Sequence, residues 1–228
     1  MTPPYVMVYH FNGGVMNINQ IGNKLVSCRL DCDGVNNNPE RGIIPRCLLI
    51  EKQEGRNKCV VIGLNPGKSS KKEQKYYLKN RMTYDAVKNF FLETELRNRA
   101  YFKRTRELLS FLNFNGDILW TDLVKCECLG KNGNLPVQTL RTCINNYLKK
   151  EIEAFQAKTI FALGHVAYNF CSLSLPSHFI VGLPHPTGSY GHFDRLNQAI
   201  RKNPRSYITR ISQRKDKNGK LIAIYLRE

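Results

Sequence analysis

Two side chains stand where chemistry could be done. Asn65 lies in "VIGLNPGKSS" (residues 61–70) and His185 in "VGLPHPTGSYGHF" (residues 181–193). In each, a short apolar run of strand type drives into a turn built from Pro and Gly. An Asn amide can orient a water or a ligand but has no useful basicity. A His can donate or accept a hydrogen bond and titrates near neutrality. Each stretch alone is also an ordinary turn, since Asn-Pro-Gly is good turn chemistry and a residue before Pro is biased toward extended backbone. Their order gives them weight: both follow buried strands, and two more strands lie between them.

The chain supplies a scaffold for those loops. "CVVIGL" is β-branched and does not alternate, the pattern of a strand covered on both faces. "DILWTDLV", "TIFALG" and "HFIVGL" read the same way. Helical spacing marks "TYDAVKNFFLETEL", with Thr83 as its N-cap, and "YFKRTRELLSFL", "HVAYNFCSL" and "FDRLNQAIRK". It also marks residues 137–157, where Leu140, Ile144, Tyr147, Leu148, Ile152 and Phe155 form one stripe. Strands alternating with helices imply parallel strands joined by crossovers, so the predicted fold is a three-layer α/β/α domain around a central, mostly parallel four-stranded sheet. Ligands bind outside the carboxyl ends of such strands, where both loops should meet in one crevice. One structural domain is expected. Residues 1–57 form an N-terminal extension packed on the core, with a strand at "YVMVYHF" and a loop at "DGVNNNPERG". Residues 58–204 form the core. Residues 205–228 form a β-hairpin, with "SYITRIS" and "LIAIYL" as arms and an Asn-Gly turn.

Charge speaks about partners. Lys and Arg number 35 against 18 Asp and Glu, a net charge of +17 with a pI near 9.7. Polyanions are favoured, nucleic acid above all. Residues 68–81 carry six basic residues to one acid and interleave Tyr76 and Tyr77, while residues 201–220 carry eight to one. Phosphate contacts and aromatic stacking are what such stretches offer. No apolar run is long enough to span a bilayer. The opening residues show no basic leader followed by an apolar region, so an intracellular protein, expected to be a monomer, is predicted. Eight cysteines in such a compartment point to buried thiols or metal ligands over disulfides.

Taken together, the motifs resemble the uracil-DNA glycosylase superfamily. "GLNPGKSS" is similar to its first motif, a G-x-N-P-G loop, and "HPTGSYG" to its second, H-P-S and a short loop that enters the duplex. "ILWTDLVKCECLG" resembles the T-N-x-V-K-C strand of the iron–sulfur branch, and "KTIFALGHVAYNF" the step before the second motif. The likeness covers about residues 58–200, in the family's order. It implies hydrolysis, without lyase chemistry, of the N-glycosidic bond of a base flipped out of DNA. Asn65 would then place the attacking water and His185 would donate to the departing base, helped by backbone N–H groups of the turn at Gly63 and Leu64. Tyr77 would stack on the base. Lys68, Ser69, Ser70 and Thr187 would contact DNA, with Ser189 or Tyr190 as the wedge.

One residue departs from the pattern. Asp122 stands where the family's edge-reading Asn would be. An Asn offers one acceptor and one donor to uracil N3–H and O4, whereas an ionised Asp offers acceptors only. Uracil remains the first expectation, read by a carboxyl kept protonated by burial; hypoxanthine or an amino-bearing base would suit the ionised form. Cys126 and Cys143 resemble the second ligand pair of the iron–sulfur branch, and Cys28 and Cys32 would supply the first, one residue wider than its C-x-x-C. Four thiolates suit a [4Fe–4S] cluster, with zinc as the alternative, in a structural role. Cys47 and Cys128 are alternates; Cys59 and Cys171 read as buried hydrophobes. A DNA- or RNA-binding module on the same fold, without catalysis, is the rival expectation.

Overall fold

The computed structural model describes residues 16–130, 134–213, 215, 219 and 221–228. The strand predicted at "YVMVYHF" lies outside these residues. In chain order the strands are β1 (Val35–Asn36), β2 (Leu48–Glu51), β3 (Cys59–Gly63), β4 (Ile118–Asp122), β5 (Glu127–Cys128), β6 (Thr159–Leu163), β7 (Phe179–Leu183) and β8 (Ile224–Tyr225). The helices are α1 (Ile18–Val26), α2 (Lys71–Lys79), α3 (Tyr84–Phe90), α4 (Leu96–Asn98), α5 (Ala100–Phe111), α6 (Val137–Cys143), α7 (Lys149–Phe155), α8 (His165–Ser174), α9 (His192–Lys202) and α10 (Pro204–Ser212).

The core is the predicted α/β architecture around a mostly parallel sheet, with six strands in place of four. Their order is β2-β4-β3-β6-β7-β8. The additions sit at the two edges. β2 pairs antiparallel with β4, placing Leu48 opposite Thr121, so the sheet begins before residue 58 and a boundary there would cut it. β8 adds parallel to β7, with Val181 opposite Ile224. The predicted C-terminal hairpin is corrected. Its first arm is α10, because Asn203 caps a helix that Pro204 opens and Tyr207 and Ile211, one turn apart, are its buried residues. Lys215 and Leu221 form only an isolated bridge.

The four central strands are buried almost throughout, which is why their sequences do not alternate. Helices cover the sheet, and α1, placed by sequence in an irregular extension, is capped by a reciprocal Asn17–Gln20 box and buries Ile21 and Leu25. The long helix expected over 137–157 forms with a π-helical turn at Ile144–Leu148 between α6 and α7. It stops at Gln156, whose left-handed backbone (φ 57°) ends it. Thr83 caps α3 through its side chain, as expected. The loop predicted at "DGVNNNPERG" contains β1, which pairs with β5.

Candidate active site

Parallel pairing puts the carboxyl ends of β3, β6 and β7 at one edge, in register from Ile62 opposite Ala162 to Leu163 opposite Leu183. The Asn65 and His185 loops leave from that edge. Asp122 closes β4 beside Gly63. A Cβ at Gly63 would lie 2.2 Å from Asp122 Oδ1 and 3.0 Å from the Tyr101 hydroxyl, so only glycine lets both groups reach the base of the turn. Tyr101 is half-buried, and its ring stands 5.6 Å from the His185 ring at 45°. It therefore spans the gap between the two motifs.

Tyr101 also corrects an expectation. Tyr77 has no exposed surface; its hydroxyl donates to Glu73 Oε1 at 3.0 Å and its ring meets Tyr76 and Phe90. A ring enclosed in this way has no free face for a base. Tyr101, at the start of α5, is the aromatic beside His185. No local pattern in the sequence marked it, because its position follows from where α5 begins, beside the strand tips.

The Asn65 turn is anchored from beneath by buried charge. Arg46, 2% exposed, pairs with Glu73 (2.9 Å) and Glu127 (3.3 Å) and donates to the Gly67 carbonyl. Glu127 accepts the Ser69 N–H at 2.6 Å and an Asn36 amide N–H at 3.0 Å. Ser70 caps α2 in a reciprocal box with Glu73. Ser69 and Ser70 are thus engaged in holding the loop, and Lys68 is exposed. Asn65 Nδ2 donates to the Pro66 carbonyl at 2.9 Å, which leaves Oδ1 as its accepting end. Gly63 and Leu64 give their carbonyls to the N–H groups of Leu123 and Val124, locking the turn to the end of β4.

His185 is half-buried, and desolvation lowers its pKa, favouring the neutral ring. The Thr187 N–H donates to Nδ1 at 3.3 Å. A neutral imidazole accepting at Nδ1 carries its proton on Nε2. In the same loop Ser189 Oγ accepts from the Phe193 N–H, whereas Tyr190, at φ 50°, is 97% exposed. Of the two expected wedges, Tyr190 is the exposed one and Ser189 is engaged within the loop.

Asp122 is 4% exposed. Burial raises its carboxyl to about 6, against the opposing hydrogen bond with Cys47 and the charges of Lys125 and Arg46. Burial, then Asp122, in turn pushes the Cys47 thiol well up, so it is the proton donor of that pair. Lys125 is buried on Glu151 at 2.7 Å and is not placed to act as a nucleophile.

The four cysteines predicted as ligands come together. Burial first, then Cys143, Cys28 and Cys32, pushes the Cys126 thiol up to about 12. Burial, then Cys143 and Cys28, raises Cys32. Among the described residues no three His, Cys, Asp or Glu side chains are arranged to hold a metal ion. Four thiols are a donor set that suits a [4Fe–4S] cluster or a zinc ion. Cys59 and Cys171 are buried in the apolar core.

A family model described as the uracil DNA glycosylase superfamily matches residues 53–208, about two thirds of the chain. Comparison with curated proteins gives no match.

Proposed function

The chain belongs to the uracil DNA glycosylase superfamily, a DNA glycosylase in kind, and from that premise we propose that it removes a deaminated base, uracil first, by hydrolysing the glycosidic bond. The observation that carries this reading is Tyr101, set between the Gly63 turn and His185 so that both motifs address one nucleotide.

Base loss builds positive charge on the sugar and negative charge on the departing ring. The neutral His185 donates from Nε2 to the base oxygen as that charge grows, without first having to lose a proton. Asn65 Oδ1 accepts from a water and holds it toward C1′, while its Nδ2 is fixed on Pro66. Tyr101 stacks on the flipped ring. Asp122 reads the base edge, donating to O4 when protonated and accepting from an N–H when ionised. Tyr190 fills the gap that the flipped base leaves in the stack. Because Lys125 is spent on Glu151, water is the nucleophile and the product is an intact abasic strand.

We assign Cys28, Cys32, Cys126 and Cys143 as the residues that would hold a [4Fe–4S] cluster. Bound there, it would tie α1, the β4–β5 loop and α6 together and take no part in the hydrolysis.

The test is release of free base from oligonucleotides carrying uracil, hypoxanthine, xanthine or cytosine, with Asn65→Ala and His185→Ala as controls. Uracil release lost in both variants supports the assignment. DNA binding with no release of any base would mean a non-catalytic module.

A further inference from the structure

A cavity opens beside His185. Its volume is about 690 Å³, within the ~300–1,000 Å³ that encloses a small organic ligand. His185 forms one wall. His165, Tyr190, His192, Tyr225 and Arg227 form others, and Asn65, Tyr101 and Asp122 form none. It therefore shares His185, Ser189 and Tyr190 with the loop described above and none of the groups around the Asn65 turn.

Its lining is suited to a nucleobase. His165 and Tyr225 stack face to face, 4.3 Å apart and 6° from parallel. Tyr168 braces Tyr225 edge-on at 5.3 Å. Gly182 makes room for both tyrosines, since a Cβ there would come within 2.3 Å of Tyr225 and 2.6 Å of Tyr168. His165 is exposed and has spent one ring face on Tyr225, leaving the other to the cavity. The Arg227 guanidinium lies 5.8 Å from the Tyr225 ring. The acidic wall, Glu228, is paired with Arg195 at 2.8 Å, and Arg195 also reaches His192. The space thus combines an aromatic platform with a cation, the pairing that takes a base and its phosphate.

We propose that this cavity receives a second nucleotide of the same DNA strand, next to the one flipped onto His185. Its base extends the His165–Tyr225 stack and its phosphate meets Arg227. A base enclosed here cannot remain paired, so the enzyme is built for single-stranded or locally opened DNA. The identity of the flipped base rests on the glycosylase reading; occupation of this cavity does not.

The test uses single-stranded oligonucleotides with one uracil whose neighbour, on the 5′ or the 3′ side, is intact or replaced by an abasic spacer. Binding is read by fluorescence anisotropy in an Asn65→Ala background, so that substrate is not consumed. Losing the neighbouring base on one side should weaken binding about tenfold. His165→Ala, on the exposed helix start, and Arg227→Gln should each weaken binding to the intact strand. His165→Ala should have no effect when that neighbour is abasic, and the matching duplex should bind less tightly than the single strand. Equal binding to all the single strands, a His165→Ala loss that persists with the abasic neighbour, or tighter binding to duplex would overturn the proposal. If the unsubstituted protein releases no base while the neighbour effect remains, the glycosylase reading fails and this one stands.

Discussion

Replacing Asp122 by Asn should both raise uracil excision and flatten its dependence on pH. In the folded protein the carboxyl titrates near 6 because it is 4% exposed and burial outweighs the Cys47, Lys125 and Arg46 contributions. If O4 of uracil is read by the protonated form, about half the molecules are competent at pH 6 and roughly one in a hundred at pH 8, a rise of roughly fiftyfold on acidification. The Asn variant carries a donor at every pH and should run near the acidic plateau throughout. Stability gives an independent check. A carboxyl raised from 3.8 to about 6 on folding contributes stability that is present below about 4 and lost as pH rises through about 6. Asn lacks that loss and should be more stable at pH 8, by roughly 3 kcal/mol at most. The assay is single-turnover release of uracil between pH 5.5 and 8.5, with thermal unfolding in the same buffers. A parent rate that does not rise toward pH 6, or parent and variant profiles that coincide, would refute the assignment.

Other outcomes follow from neighbouring contacts. Glu127→Gln removes the charge that holds the Ser69 N–H and Arg46; it should cost about 1–3 kcal/mol of stability and slow single-turnover excision by roughly 10–100-fold through the displaced Asn65 turn. A parental rate would show that Glu127 does not position that turn. Tyr101→Ala should lose about 1–3 kcal/mol of base stacking, seen as weaker binding of a uracil strand. Tyr77→Phe, deprived only of its bond to Glu73, should lower stability by about 1 kcal/mol and leave excision at saturating substrate unchanged; a large loss of excision would show that the Tyr77 hydroxyl serves the reaction. An anaerobic preparation should contain about four iron atoms per chain and lose them in Cys126→Ser. Colourless protein free of iron and zinc would count against the cluster.

The central strands were legible because "CVVIG", "ILWTD", "TIFAL" and "FIVGL" are apolar on both faces, and the strand-tip rule then placed Asn65 and His185 at one edge. The edges were harder to read. "LLIE" is only four residues and β8 only two, too short for any period to show. "SYITRIS" misled because its β-branched residues suit a strand, although the Asn203-Pro204 pair just before it is a helix-start signal. Tyr77 could have been questioned from Glu73 one turn earlier, a partner for a buried hydroxyl. Tyr101 carried no such mark. Its role depends on a glycine 38 positions away in the chain and on where α5 begins, neither of which is written in local spacing.

The shared nucleotide can be looked at directly by solving the Asn65→Ala variant bound to a strand carrying 2′-fluoro-deoxyuridine, which resists hydrolysis. The result expected is a ring turned out of the strand against Tyr101, with O2 about 3 Å from His185 Nε2 and C1′ facing position 65. A uracil ring held anywhere else, with His185 and position 65 on different nucleotides or on none, would contradict the joint action of the two motifs.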